Sequence, residues 1–200
     1  MIDFFDKVLA GVIATSLWEW LAVISSILYV FFAVKKKIVC WLFALIASAL
    51  YIYICFFSRL YVETILQVFY LVMAVVGWLM WQKTQGTQKD IKTWTGTQHA
   101  VNIFCSLIIA VLLGYIFDTY TGQANPYIDS FTTCYSLAAT YMVTKKVLEN
   151  WLYWIIIDAV SIYLYAARGL ELTALLFFLF TVLAVWGYFS WSKQFKSQSA

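Results

Sequence analysis

The heptapeptide GWLMWQK at residues 77–83 recurs as GYFSWSK at residues 187–193, so that a Gly, a Trp and a Lys keep one spacing. The match extends without a gap over residues 19–83 and 129–193, at an offset of 110 residues (187 minus 77), and about a quarter of the paired positions are identical. Apolar composition alone would give chance identities, but it would not align the Lys, Gly and Trp residues in one register. Such a repeat is typical of a transporter built from two related helical bundles.

The composition is that of an integral membrane protein. Of the 200 residues, 64% are hydrophobic and 12% charged, and the mean hydropathy is +0.84, whereas a soluble domain carries about 25% charged residues. The single proline, Pro126, lies between apolar stretches, so we expect these stretches to be helices long enough to cross a bilayer. The sequence predicts seven spans, at residues 18–34, 39–57, 61–81, 99–117, 127–144, 148–166 and 171–191.

The basic residues predict the orientation of the chain. When the loops alternate between two sides, Lys7, Arg59 and Arg168 fall on one side and ten lysines on the other. The Lys-rich side is then cytoplasmic, which puts the N-terminus outside and the C-terminus inside. Because the basic loops are short and flank the spans, we do not expect a nucleic-acid partner. The ten lysines are Lys35, Lys36, Lys37, Lys83, Lys89, Lys92, Lys145, Lys146, Lys193 and Lys196.

The predicted architecture is an all-α integral membrane protein in a 3+1+3 arrangement. Each repeat has three spans, and the extra fourth span restores the direction of the second repeat, which makes the repeats parallel. The first residues lack the basic leader of a signal peptide, so we expect them to be retained; they either lie on the membrane surface or pack against the bundle. The expected units are an amphipathic segment (1–17), a first bundle (18–81), a linker helix (99–117), a second bundle (127–191) and a cytoplasmic tail (192–200), which we expect to be disordered from Lys193 onward.

A polar stripe on the sixth span gives the strongest indication of a binding site. Trp151, Trp154, Asp158, Ser161 and Tyr165 follow at steps of three and four residues, which puts them on one helical face. Ionisable groups inside a membrane usually face a functional interior. Two indoles beside a carboxylate suit a flat, polar, cationic ligand. The alternative is that Asp158 pairs with a Lys or a hydroxyl inside the bundle and that the Trp residues anchor the helix at the interface.

The third span carries a second stripe, with Gln67, Tyr70, Gly77 and Trp81 on one face. The Gln67 amide both donates and accepts hydrogen bonds, which suits an amide or an aminopyrimidine edge. In the seventh span Phe residues replace Gln67 and Tyr70, as an asymmetric ligand requires. Trp81 and its counterpart Trp191 lie at the Lys-rich ends and are either a candidate gate or interfacial anchors.

Two carboxylates near the opposite end, Glu19 and Asp129, are repeat equivalents. They form either a cation-attracting outer vestibule or a pair of solvated interface charges. The lone His99 has no partner at catalytic or metal spacing, and we assign it a surface role. The sequence contains no Walker loop, no His-Glu-x-x-His and no Gly-x-Ser-x-Gly motif. We therefore expect neither an enzyme nor an ATP-driven pump, and no cofactor or metal.

The repeat motifs resemble a known family over about residues 17–193. Leu60-Tyr61-x5-Gln67-Val68-Phe69-Tyr70 with Gly77-Trp78-x-x-Trp81, and Glu149-Asn150-Trp151-Leu152-x-Trp154 with Arg168-Gly169-Leu170, resemble the third and sixth helices of PnuC-type vitamin transporters. The resemblance implies a fold similar to the SWEET sugar transporters, a homotrimer, and a bacterial inner membrane. It also implies facilitated diffusion of nicotinamide riboside, thiamine or riboflavin, followed by trapping by a cytoplasmic vitamin kinase.

The resemblance further implies that Trp151, Trp154, Gln67 and Tyr70 bind the ligand. Where members that carry nicotinamide riboside resemble Trp-x-x-Trp-x-x-x-Asn, this sequence has Asp158. A carboxylate only accepts hydrogen bonds, so it matches an exocyclic amine, as on the pyrimidine of thiamine, better than a carboxamide. Nicotinamide riboside is therefore the first expected substrate and thiamine the alternative; a sugar transporter and a non-transport membrane scaffold are lesser alternatives.

Overall fold

A computed structural model describes residues 2–59, 61–84, 91–121 and 125–199, and within these ranges the protein is all helical. An isolated bridge between Lys92 and Val147 is the one β-type pairing among the described residues. The helices are α1 (Ile2–Ala14), α2 (Leu17–Val34), α3 (Cys40–Phe57), α4 (Tyr61–Lys83), α5 (Gly96–Tyr120), α6 (Pro126–Thr144), α7 (Asn150–Ala167) and α8 (Glu171–Ser199).

Six of these helices are long and apolar enough to cross a membrane, namely α2, α3, α4, α5, α7 and α8. The predicted span at 127–144 forms α6, but its hydropathy falls short because it contains many hydroxyl residues. Ser130, Ser136 and Thr140 are all buried. A helix whose polar side chains are covered by protein does not need the apolar surface of a lipid-facing helix.

Helix boundaries follow local capping signals. The Ser16 Oγ accepts a hydrogen bond from the Glu19 amide at 3.3 Å, and the Glu19 Oε2 accepts one from the Ser16 amide at 2.7 Å, which closes a capping box at the start of α2. Thr95 forms the same capping box with Gln98, so α5 begins at Gly96, three residues before the predicted start at residue 99. These side chains satisfy backbone N–H groups that have no intrahelical partner.

The prediction of a disordered tail from Lys193 onward was wrong for residues 193–199. Helix α8 continues to Ser199, because neither Gly nor Pro interrupts the sequence after Gly187. The Gln194 Nε2 also donates to the Ser190 Oγ at 3.3 Å, and Phe195 packs against the buried core. Phe195 therefore ties this part of α8 to the bundle.

The helices pack as two similar halves. Helix α3 packs against α2 and α4, and α7 packs against α6 and α8. The halves meet where α2 contacts α8 and where α4 contacts α6, while α5 packs against α6. Helix α1 packs against α8, and a methyl group placed on Gly11 would lie 3.3 Å from the Leu172 Cβ. Of the two alternatives for the N-terminal segment, packing against the bundle is therefore the one observed.

The sequence repeat is also visible in the backbone. Lys36 and Lys146, which are 110 residues apart (146 minus 36), both have a left-handed φ of 53°. Arg59 and Gly169 form a second equivalent pair, with φ of 59° and 71°. After α2 the Lys37 amide donates to the Phe32 carbonyl at 2.9 Å, and after α6 the Val147 amide donates to the Met142 carbonyl at 3.0 Å. Equivalent helices thus end in the same C-terminal motif.

Candidate functional site

Four tryptophans form a continuous chain of ring contacts across both halves at the Lys-rich end, and we call them the tryptophan cluster. Trp41 meets Trp81 with centroids 5.4 Å apart at 87°, and Trp151 meets Trp191 at 5.3 Å and 89°. Trp81 and Trp191 then join the two pairs at 6.2 Å. None of the four is more than 2% exposed. This burial excludes the interfacial-anchor alternative for Trp81 and Trp191.

The repeated glycines make room for this cluster. Gly77 lies directly against the Trp41 ring, and a methyl group placed on Gly187 would lie 2.6 Å from the Trp151 ring. A side chain at either position would overlap an indole. The two glycines therefore set the close approach of α3 to α4 and of α7 to α8.

Two of the tryptophans hold the opposite half of the protein. The Trp81 Nε1 donates to the Val143 carbonyl at 3.2 Å. The Trp191 Nε1 donates to the Ala33 carbonyl at 3.2 Å and to the Val34 carbonyl at 3.1 Å. Because Val143 is the repeat equivalent of Ala33, the two sets of hydrogen bonds are related by the repeat. The last helix of each half binds the end of the first helix of the other.

A short segment that has no repeat equivalent covers the cluster. Ile91 is 4% exposed and packs within the same buried core as the tryptophans. The Lys92 amide donates to the Lys146 carbonyl at 3.0 Å, and the Leu148 amide donates to the Lys92 carbonyl at 2.8 Å. These bonds fasten the segment to the turn between α6 and α7.

The predicted stripe on α7 divides between two environments. Trp151 belongs to the tryptophan cluster, whereas Asp158 lies seven residues further along, about 10 Å deeper in the helix. Asp158 and Ser161 are both 3% exposed, and the Ser161 Oγ donates to the Ile157 carbonyl at 2.9 Å. Trp154 is half-buried and packs against both hydrophobic cores. The stripe therefore runs inward from the cluster into the protein.

Asp158 lies close to the junction between the halves. Tyr70 on α4 lies near both Ser136 on α6 and Asp158 on α7. Among the residues that the structure describes, no side chain forms a hydrogen bond or an ion pair with the Asp158 carboxylate. The alternative of an internal Lys or hydroxyl partner therefore has no support in the described part of the chain.

The two carboxylates of the predicted outer vestibule both have partners. The Asp129 Oδ2 accepts a hydrogen bond from the Arg168 Nη2 at 2.7 Å, within an ion pair that is 20% and 26% exposed. Glu19 is engaged in the capping box of α2. The vestibule stays a prediction.

His99 belongs to a polar group that the sequence did not reveal. Its Nδ1 lies 3.0 Å from the Tyr153 Oη, and its Nε2 lies 3.9 Å from the Glu149 Oε2. The Trp94 amide donates to the same carboxylate oxygen at 3.3 Å. The partners are about fifty residues apart and share no motif, so no sequence signal was available. Within the described ranges, no three potential metal ligands lie together.

Comparisons with known proteins agree with the fold and identify the family. The family model described as nicotinamide mononucleotide transporter matches residues 16–193. The nicotinamide riboside transporter PnuC of Neisseria mucosa is 28% identical over 197 residues, covering 90% of this chain and 75% of the relative. Its namesake from Escherichia coli is 26% identical over 200 residues, covering 86% and 84%.

A solved structure, the crystal structure of the vitamin B3 transporter PnuC, is similar over nearly the whole chain. The TM-score is 0.76 at 26% identity, and the match covers 98% of this chain and 89% of that one. The predicted resemblance is thereby confirmed, and so is the prediction that the protein is not an enzyme, because the family is one of transporters. This multi-pass membrane protein belongs to the nicotinamide mononucleotide transporter family, the PnuC-type transporters.

Proposed function

We propose that the protein takes up a cationic heteroaromatic vitamin across the bacterial inner membrane by facilitated diffusion, with nicotinamide riboside as the first candidate. The relatives named for nicotinamide riboside support this substrate. The observation that carries the proposal is Asp158, a buried carboxylate without an internal cation. Such a group costs several kcal/mol unless a cation or a proton neutralises it, and a pyridinium ring supplies that cation.

The proposed ligand site combines Asp158 and Ser161 with Trp154, Gln67 and Tyr70. The half-buried Trp154 offers a ring face for stacking and for cation–π contact. Gln67 lies one turn from Tyr70 on α4 and is also half-buried, so its amide can bind a carboxamide edge. We propose that Trp151, packed against Gly187, closes the site at the Lys-rich end.

We further propose a seven-span, SWEET-like 3+1+3 arrangement in which α6 is the seventh span. The bundles are residues 18–81 and 127–191, joined by the linker helix at 99–117 and flanked by residues 1–17 and 192–200. The equivalent helix ends and the equivalent tryptophan hydrogen bonds support two related bundles. The distribution of lysines supports an external N-terminus and a cytoplasmic C-terminus, and the family resemblance supports a homotrimer.

The proposed transport cycle is alternating access by rocking of the two halves. The tryptophan cluster closes the Lys-rich end in this conformation. Opening it separates Trp81 from Trp191 and breaks their hydrogen bonds to the opposite half, each worth about 0.5–1.5 kcal/mol. The Gly–Trp contacts lie inside each half and persist. Phosphorylation by a cytoplasmic vitamin kinase would trap the substrate and give uptake its direction.

Thiamine is the second candidate, and Asp158 is the observation that favours it. A carboxylate accepts hydrogen bonds from the exocyclic amine of an aminopyrimidine, whereas a carboxamide also needs a donor. If thiamine is the substrate, Asp158→Asn removes both the charge and one acceptor and weakens binding by about tenfold or more. If nicotinamide riboside is the substrate, Asp158→Asn loses the charge that balances the pyridinium ring but keeps a donor and an acceptor for the carboxamide, so binding weakens less than it would for thiamine.

Isothermal titration of the detergent-purified protein with nicotinamide riboside, thiamine and riboflavin tests both candidates. The variants are Asp158→Asn and Trp154→Ala, with Asp118→Asn as the control, because Asp118 is an exposed acid at the end of α5. We expect one of the first two ligands to bind, Trp154→Ala to weaken it, and the control to match the wild type. If no vitamin binds, or if both Trp154→Ala and Asp158→Asn bind it as tightly as the wild type, the proposed site is wrong and the scaffold alternative gains support.

A further inference from the structure

A cleft at the Lys-rich end lies outside the candidate substrate site, and we call it the lysine cleft. It has a volume of about 620 Å³ and lies between residues 92–94, the first turns of α5 and the end of α6. Lys92 and Lys145 line it from two neighbouring segments, and Val101 and Cys105 line it further along α5. The lining therefore changes from cationic to apolar along α5, away from the lysines.

The two lysines of the cleft carry uncompensated charge. In the described part of the chain, neither ammonium group forms an ion pair or a hydrogen bond, and the Lys145 Nζ lies 5.5 Å from the centroid of the Tyr141 ring. Helix α5 begins at Gly96 beside the cleft, so the positive end of its dipole has the same sign as the lysines. Two such charges in one concave site attract an anion.

The part of the cleft that α5 lines identifies the kind of anion. Thr97, Val101 and Cys105 follow at steps of four on one face of α5, and Val101 is 58% exposed. Asn102 also lines the cleft, and its Nδ2 is buried with no hydrogen-bond partner in the described residues. A small soluble anion would leave this apolar wall exposed and the Asn102 amide without a hydrogen-bond partner. A phospholipid would cover the wall and supply that partner, since its phosphate, ester groups and acyl chain follow one another in the same order.

We propose that the lysine cleft binds an anionic phospholipid of the adjacent leaflet. Lys92 and Lys145 bind the phosphate, the Asn102 Nδ2 donates to an ester oxygen, and an acyl chain lies along Val101. Basic pockets between helices on the cytoplasmic side commonly bind such headgroups. Because Lys92 also fastens the segment that carries Ile91 over the tryptophan cluster, the lipid would steady this cover. The proposal rests on the membrane location of α5 and does not depend on which vitamin is carried.

Native mass spectrometry of the purified protein, titrated with phosphatidylglycerol, cardiolipin or phosphatidylcholine, tests the proposal. We expect the two anionic lipids to bind more tightly than phosphatidylcholine. The double variant Lys92→Gln/Lys145→Gln should weaken anionic-lipid binding by about tenfold or more, whereas Lys92→Arg/Lys145→Arg should retain it. Asn102→Leu should weaken it without any change of charge.

The matched control is Lys83→Gln/Lys196→Gln, which removes the same charge from exposed positions at the Lys-rich ends of α4 and α8. We expect this control to stay within about twofold of the wild type. Equal losses in both double variants, or equal binding of phosphatidylcholine, would mean general surface attraction and would overturn the proposal. Displacement of phosphatidylglycerol by glycerol 3-phosphate at equal concentration would identify a soluble-anion site. A change of subunit number in Lys92→Gln/Lys145→Gln with lipid binding intact would identify an interface between copies, and either result would also overturn the proposal.

Discussion

Single residues decide how tightly each half of the protein packs, and Gly187 is the sharpest case. A methyl group there would lie 2.6 Å from the Trp151 ring, whose own position is fixed by Trp191. Neither indole can move without breaking the tryptophan cluster. Both repeats have Gly at this position because a side chain would overlap an indole, and Gly77 lies against the Trp41 ring in the same way.

Gly187→Ala should therefore destabilise the protein by about 1–3 kcal/mol, the usual cost of overpacking a close-packed core. Thermal unfolding in detergent should show a midpoint about 2–4 °C lower for each kcal/mol. Gly96→Ala is the control, because no atom lies within 4 Å of a Cβ added at Gly96. An equal midpoint for Gly187→Ala and the wild type would mean that the Trp151 ring can shift.

Differences between equivalent residues identify the candidate site. Ser48 is the counterpart of Asp158, and both are buried, at 5% and 3% exposure. One half thus places a hydroxyl, and the other a carboxylate, at the same position of the fold. Packing alone does not require this difference, whereas an asymmetric cationic ligand does.

Asp158→Asn should make the ligand-free protein more stable, because it removes a buried charge that lacks an internal partner. We expect a gain of about 1–3 kcal/mol, measured as a higher unfolding midpoint without ligand. Asp118→Asn should leave the midpoint unchanged. A lower midpoint for Asp158→Asn would show that the carboxylate stabilises the fold, which would contradict its assignment to the ligand.

At the scale of helices, the sequence predicted what local periodicity encodes. Span length, the repeat offset and turn residues suffice to place helices α2 to α8, and capping residues such as Ser16 set the starts of helices such as α2. Contacts between distant residues carry no such periodicity. The cross-half bond from Trp191 and the group of His99, Glu149 and Tyr153 depend on tertiary packing, so they could not be read from spacing. Trp151 shows both cases, since its helical face was predictable and its burial in the cluster was not.

The same cross-half bonds predict how the helices separate. Trp191→Phe keeps an aromatic ring but removes the N–H that binds α2, a bond worth about 1 kcal/mol. The ratio of open to closed conformations at the Lys-rich end should rise about fivefold. Spin labels at Lys35 and Lys193, in a chain without its four cysteines, measure the α2–α8 distance by double electron–electron resonance. A longer-distance population should grow in Trp191→Phe.

Trp41→Phe is the matched control for this experiment. Its indole N–H is buried but makes no hydrogen bond in the described residues, so its loss should not favour the open conformation. Equal distance distributions in Trp191→Phe and the wild type would mean that ring packing, and not the hydrogen bonds, holds the halves together.

At the scale of the whole molecule, the charge of the substrate determines what drives uptake. A facilitator that carries one cation per cycle moves one charge, whatever residues bind it. An inside-negative potential of 100 mV is worth about 2.3 kcal/mol per charge, which corresponds to an accumulation of about fortyfold at 1.4 kcal/mol per tenfold. In liposomes without any kinase, the vitamin that binds by titration should therefore accumulate when valinomycin sets a potential, and it should only equilibrate when the potential is zero.

A pH gradient at zero potential separates this mechanism from proton coupling. Because facilitated diffusion exchanges no proton, the gradient should drive no accumulation in the wild type. If it does, Asp158 is the buried group able to carry the proton, and Asp158→Asn should abolish the pH-driven component while transport down a gradient persists. Asp129→Asn is the control for an effect of the outer ion pair, because Asp129 is paired with Arg168. The pH-driven component should persist in this variant. Accumulation driven by pH in the wild type and lost only in Asp158→Asn would replace facilitated diffusion with proton-coupled transport through the same site.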